Sequence, residues 1–347
     1  MNVETLMPAQ EDAYERFVSS HPAATLYGSL AYRRFLRAVT GEEDRYLIAT
    51  DEGAVVGVLP AFLQRDRGRG AVLNSLPFFG SLGGALAAPG RSDAAGALVE
   101  AFTGMAEAAG CISRTIITSP LDEDVSLYEQ RPHTFRDRRT GQITPLPPAG
   151  DDLERRLLEG FDDPRPRNIR RAQKSGVTVT ERWDEDALRF VAELHAENIG
   201  ALGGLVKPLD VFLAVPRCFD RSQFSVFTAA RDGRDVAALL AFFYNGTVEY
   251  FTPAVRQDER PHQPLSLIIF QAMQCAVRRG FVRWNWGGTW TSQESLYDFK
   301  KRWGAIDHPY FYFTTVADSV LDRTREDILA AHPNFYVCPF DQLRRPA

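Results

Sequence analysis

Lysine is scarce in this chain: of 40 basic residues only Lys174, Lys207, Lys300 and Lys301 are lysines, and the rest are arginines. Lysine is the cation whose proton affinity burial readily lowers, so each of the four is a candidate for chemistry. Two of them stand together in Ser295-Leu-Tyr-Asp-Phe-Lys-Lys-Arg-Trp-Gly304, where Leu296, Phe299 and Trp303 recur at helical spacing and leave Lys300 on a neighbouring face. Two readings stand open here: a short surface helix with solvated lysines, or a helix presenting an ammonium to developing oxyanion or phosphate charge. A second cluster, residues 165–174, holds five positive charges and no negative one. Within it Arg167, Arg170, Arg171 and Lys174 lie three and four apart and share one helical face. That face is either solvated or suited to the phosphates of a carrier, a nucleotide or a tRNA acceptor stem.

Other motifs carry less. Arg65-Asp-Arg-Gly68-Arg-Gly70 has the form R-x-x-G-x-G by which GNAT-superfamily acetyltransferases cradle the pyrophosphate of acetyl-CoA. That chemistry needs N–H groups at a helix N-terminus, whereas residues 71–76 read as a strand. The equivalent place in the second half, residues 256–264, has no glycine, and Pro261 and Pro264 donate no N–H. A standard CoA pyrophosphate site is therefore expected in neither half. His195, beside Glu193 and Glu197, reads as a satisfied surface histidine. Neither HExxH nor GxSxG occurs, and the four cysteines are far apart, so no metal site, serine-hydrolase site or disulfide framework is expected.

Positioning these residues falls to an alternation of helix and strand signals that runs twice. The first run predicts helices over 10–18 and 29–39, the latter with Ser29 as N-cap and a stop near Gly41. It continues with a hairpin of strands 45–50 and 54–63, a strand over 71–76, a helix over 92–109 and a strand over 114–118. After a Pro-rich stretch at 144–150, the second run predicts helices over 151–159, 166–175 and 184–198, with Asp184 as N-cap, and a strand over 177–181. It goes on to a hairpin of 224–231 and 235–244, a strand over 247–253, the apolar helix 265–279 and a strand over 282–286. A helix near 318–331 and a strand over 335–340 are expected last. The fold class is α/β (α+β), with mixed twisted sheets flanked by helices and domains at 1–150, 151–317 and a 318–347 extension. A site is expected at the end of the 247–253 strand.

Composition narrows the function classes. At 347 residues, 44% hydrophobic and 24% charged, the chain is globular, and a net charge of −5 argues against a surface that clings to nucleic acid throughout. The acidic start lacks signal-peptide character, and the weakly polar stretch 76–89 is too short to span a bilayer. A cytoplasmic protein without a membrane span is expected.

Taken in order, five segments resemble the FemABX-like branch of the GNAT superfamily, the peptidoglycan-bridge aminoacyltransferases and their relatives. They are His21-Pro-Ala-Ala-Thr-Leu-Tyr-Gly-Ser-Leu-Ala-Tyr-Arg-Arg-Phe35, Leu76-Pro-Phe-Phe-Gly-Ser-Leu-Gly-Gly84, Arg167-Asn-Ile-Arg-Arg-Ala-Gln-Lys-Ser-Gly-Val177, Gly280-Phe-Val-Arg-Trp-Asn-Trp-Gly-Gly-Thr289 and Leu296-Tyr-Asp-Phe-Lys-Lys-Arg-Trp-Gly304. The resemblance implies two tandem GNAT-like domains and peptide-bond formation, in which an acceptor amine attacks the ester carbonyl of an aminoacyl-tRNA without an acyl-enzyme. It also implies that Phe299 and Lys300 lie at the active site, with Lys300 stabilising the tetrahedral intermediate or the leaving hydroxyl. Tyr250 and Asn285 are expected to contact substrate, and the face of Arg167, Arg170, Arg171 and Lys174 to meet the donor. The long coiled-coil arm of some bridge-forming relatives is missing, and the region Gly200-Ala-Leu-Gly-Gly-Leu205 lacks the arginine that relatives often carry there. The expected protein is an amide-forming acyltransferase that needs no cofactor beyond its donor. The alternatives are an acyl-CoA-dependent N-acyltransferase acting on an amino sugar or glycan precursor, and a non-catalytic GNAT scaffold.

Overall fold

The computed structural model describes residues 1–78, 80–122, 124–290 and 293–344. It divides into two compact units, residues 1–140 with 309–347, and residues 141–308. This differs from the expected division at 150 and 317: the C-terminal segment is no separate extension but part of the first unit. Ser113 Oγ donates to Val337 O, while Asn74 and Tyr336 exchange two hydrogen bonds, side chain to backbone, at 2.9 Å each. Those side-chain bonds take up backbone groups of Tyr336 and Val337, and the strand expected over 335–340 does not form. Phe79, in one of the segments above, lies outside the described residues.

In the first unit, Asn2–Thr5, Leu47–Asp51, Ala54–Leu59 and Leu86–Ala87 form an antiparallel sheet in that order. The helix Ser92–Ala108 lays Ala94, Leu98, Val99 and Phe102 into its core. Ser29 Oγ accepts from Tyr32 N to start Leu30–Thr40, and Gly41 ends it in the left-handed region. Ala71–Asn74 runs parallel to Cys111–Ile117, which pairs antiparallel with residues 312–316.

In the second unit Thr178–Arg182, Phe224–Arg231, Arg234–Tyr244, Thr247–Val255 and Arg283–Thr289 are neighbours in that order. The last pair is parallel and the others antiparallel. Register puts Ala241, Tyr250, Trp284 and Trp286 on one face, against the apolar helix Pro264–Arg278. Phe242, Glu249 and Asn285 point to the other face, where the helix Glu185–Gly200 packs. His195 is buried on that helix rather than at the surface, because it falls at i+4 from the inward Val191.

Two features shape the end of this sheet. The parallel strands pair only from Thr247–Glu249 against 283–285 and then part. Beside that point a bulge inserts Phe251 opposite the Leu240–Ala241 step, which sharpens the local twist. The strands Phe135–Pro145 and Ile306–Val316 were not expected from the sequence; the first is rich in charge and lacks a clear apolar alternation.

Candidate active site

Lys300 lies on the helix Glu294–Lys301 and is only 4% exposed, whereas Leu296, expected on the inward face, is 38% exposed. The helix is thus rotated from the solvated-lysine reading: the cation goes in. Its Nζ donates to Thr289 Oγ1 at 2.8 Å, Gly288 O at 3.0 Å and Gly287 O at 3.3 Å. All three ammonium hydrogens therefore hold the end of the Arg283–Thr289 strand beyond the point where its partner leaves it. Burial pushes the pKa of Lys300 down to about 8. Thr289 Oγ1 passes the network on to Gln142 Oε1 at 3.1 Å, and Gln142 Nε2 donates to Tyr297 O. Gly304 ends this segment with φ +73, and a Cβ there would meet Gly160 O at 2.6 Å, so only glycine fits.

Phe299 sits edge-on to Trp286 at 6.0 Å, and Tyr250 is edge-on to the same indole at 4.8 Å. Trp286 Nε1 donates to Thr144 Oγ1, which fixes the indole. The Tyr250 hydroxyl makes no hydrogen bond with a described residue, and burial raises its pKa while Arg165 opposes the rise. Asn285 is spent internally: Nδ2 donates to Glu249 Oε2 at 2.8 Å, and Oδ1 accepts from Gly287 N at 2.9 Å. The structure therefore brings Lys300, Phe299 and Tyr250 around the strand opening, and turns Asn285 toward Glu249 on the opposite face.

The helix Arg165–Lys174 forms as expected, burying Arg165, Ile169 and Ala172. Arg167, Arg170, Arg171 and Lys174 are exposed, and none has a carboxylate within ion-pair distance among the described residues. Arg165 opens the basic run, and it is the residue that ties the run to the site. Its guanidinium stands 4.3 Å over the Phe299 ring, and Nη2 donates to Phe299 O at 3.3 Å. Only 9% exposed, with Nε buried and unbonded, it has no carboxylate partner among the described residues. Burial, and secondly Arg302, lower its pKa. A buried cation left unneutralised is costly; only the tertiary fold reveals it.

Neither glycine-rich nor proline-rich segment offers an open anion cradle. In the 65–70 loop the N–H groups of Gly68, Arg69 and Gly70 all donate to Asp66 Oδ1, at 2.7, 2.9 and 2.7 Å. In the second unit Gln257–His262 forms a 3-10 helix, with Glu259 held by both Nε and Nη2 of Arg231. Among the described residues no group of three or more His, Cys, Asp or Glu is placed to hold a metal ion, and no helix is long and apolar enough to cross a membrane.

Residues 165–301 match the family model described as an acetyltransferase (GNAT) domain. No curated protein matches the chain in sequence. Among solved structures it is similar to FemX, at 16% identity and TM-score 0.73, covering 92% of this chain and 98% of that one. It is also similar to L-PGS from Bacillus licheniformis, at 13% identity and TM-score 0.57 over 95% and 97% of the two chains. A tandem GNAT protein from the clavulanic acid biosynthesis pathway gives 14% identity and TM-score 0.53 over 91% and 98%. The chain thus carries a GNAT domain at residues 165–301 on a FemX-like fold, as its resemblance to the FemABX-like branch of the GNAT superfamily implied.

Proposed function

We propose that this protein is an amide-forming acyltransferase that moves an aminoacyl group from aminoacyl-tRNA to the amine of a small or carrier-linked acceptor. The observation that carries the reading is the helix Arg165–Lys174. Its outer face offers four unpaired cations for phosphates, and its first residue lies on Phe299 beside Lys300. The acceptor amine adds to the ester carbonyl, the C–O bond to the tRNA ribose breaks, and the amine's proton ends on the departing hydroxyl. Such a reaction depends on positioning and on charge stabilisation. Lys300 supplies positive charge from a buried position and fixes the main chain at 287–289. Tyr250, with its free hydroxyl, is the substrate contact on the aromatic face, and Asn285 keeps Glu249 in place.

An acyl-CoA donor is the second reading, favoured by the acetyltransferase description of the matched domain. Against it stand Pro264 and the 3-10 helix where a pyrophosphate would need free N–H groups. Incubation with charged total tRNA, and separately with acyl-CoAs, over a set of amines tests both. Amine-dependent deacylation of tRNA is expected. Calorimetric binding of acetyl-CoA without binding of tRNA would overturn the donor assignment, and turnover of neither donor would leave a non-catalytic scaffold.

A further inference from the structure

A cavity of about 580 Å³ lies wholly within the first unit and shares no residue with the reaction site, which belongs to the second. Its volume is that of a small-molecule site. Three elements build it. Arg114 pairs with Thr315 and Ile116 with Phe313 across two antiparallel strands, so these side chains share one face of the sheet. The helix Ser92–Ala108 packs on that face through Phe102. The chain after the short helix Ser126–Glu129 closes the third side: Arg131 Nη1 donates to Leu127 O at 2.6 Å and Nη2 to Gly96 O at 3.1 Å, which ties this wall to the longer helix. The cavity is therefore preformed.

Floor and rim differ in chemistry. Phe102, Ile116, Tyr128 and Phe313 make an apolar floor, with the last two rings stacked at 5.5 Å. His133 stands edge-on to Phe313 at 5.3 Å, and its Nδ1–H donates to Arg131 O at 2.9 Å, so the neutral ring offers Nε2 as an acceptor. Glu100 and Glu107 reach the cavity from the same side of the helix, two turns apart; both are exposed and neither is ion-paired among the described residues. On the strand opposite, Arg114 is open to water, and its guanidinium makes neither a hydrogen bond nor an ion pair with a described residue. Opposite charges thus line one cavity above an apolar floor without pairing with each other. Such a lining complements a molecule that brings both charges itself.

We propose that this cavity is a binding site for a small zwitterion with an apolar body, either an apolar amino acid or a dipeptide ending in one. The ligand's carboxylate meets the Arg114 fork. Its ammonium meets Glu100, Glu107 and His133 Nε2, and its side chain covers the aromatic floor. The site is independent of the acyltransferase reading, because binding alone reports it.

Calorimetry on the full chain tests it, with L-phenylalanine and L-alanyl-L-phenylalanine as probes. Among the controls, L-alanine lacks the apolar body, 3-phenylpropionate the ammonium and 2-phenylethylamine the carboxylate. At least one probe is expected to bind about tenfold more tightly than every control; the tighter probe names the source. R114M is expected to weaken that probe about tenfold and to remove the rise in Tm that it gives the unaltered chain. E100Q/E107Q, changed at exposed positions, is expected to weaken it to a similar degree, and it keeps the test open should R114M not fold. Failure of both probes to bind overturns the proposal. So does a control that binds as tightly as the better probe, or an affinity that either folded variant leaves unchanged.

Discussion

Both units hold enclosed cations against carboxylates, as Arg231 is held by Glu259 in the second, but three cations of the second unit are treated differently. In the first, Arg33 is held by Asp44 and Glu11, and Arg139 by Asp137. In the second, Arg165 and Lys300 are buried and Lys207 is half-buried, and no carboxylate pairs with any of them among the described residues. All four lysines of the chain also fall in the second unit. A paired buried cation serves packing and specificity, whereas an unpaired one is a standing electrostatic cost. The contrast teaches where the chain accepts instability, and that place is the mouth of the parted parallel strands.

The largest effect that could break the contrast is at Lys300. K300M is expected to lower kcat about 100-fold, because it removes a preorganised positive charge and releases the main chain at 287–289. A folded variant with full activity, checked by circular dichroism, would take Lys300 out of the chemistry. Next comes a matched pair. R33M leaves Asp44 with only the exposed Arg37, at 3.4 Å, and is expected to cost about 3 kcal/mol in urea unfolding, while R165M is expected to change stability by less than about 1 kcal/mol and to impair turnover instead. The reverse order would erase the difference between the units.

The exposed basic face gives a smaller, graded effect. Replacing Arg167, Arg170, Arg171 and Lys174 together by Gln is expected to weaken tRNA binding and to flatten the slope of log K against log salt by about 3. An unchanged slope would return that face to solvent.

Acidity sharpens the comparison further. Lys300 has a folded pKa of about 8, below its ordinary 10.5. Between those values the unfolded chain binds more protons, so its contribution to stability rises with pH. Activity should run the other way over the same window, falling above about pH 8 as the ammonium is lost. A pH–rate profile that keeps rising through pH 10 would contradict this. The smallest effect is expected at D66A in the first unit, which frees three backbone N–H groups: a slight fall in Tm and no gain of acetyl-CoA binding by calorimetry.

Much of the frame was legible because local chemistry specifies it. Ser29 and Asp184 cap their helices with their own side chains, and Gly53 and Gly233 turn their hairpins at positive φ. The strand Phe135–Pro145 escaped because its outer half reads as charge. The basic face was legible from its spacing, and Phe299 and Lys300 from family resemblance. Arg165 and Lys207 were not, since what distinguishes them is a missing partner, and that is decided by residues far away in the chain. Asn285 reads from the sequence as a substrate contact, because its sequence neighbours do not disclose Glu249 on the adjacent strand.

The bulge at Phe251 has an evolutionary consequence. Losing that one codon would restore regular pairing with the neighbouring strand, leave Thr252 opposite Leu240 on the same face, and remove the ring that stands over Lys207. The lysine would then keep its hydroxyl partner, Thr252, and lose its aromatic one in a single event. Relatives one residue shorter at this spot are therefore expected to hold the lysine by one contact instead of two.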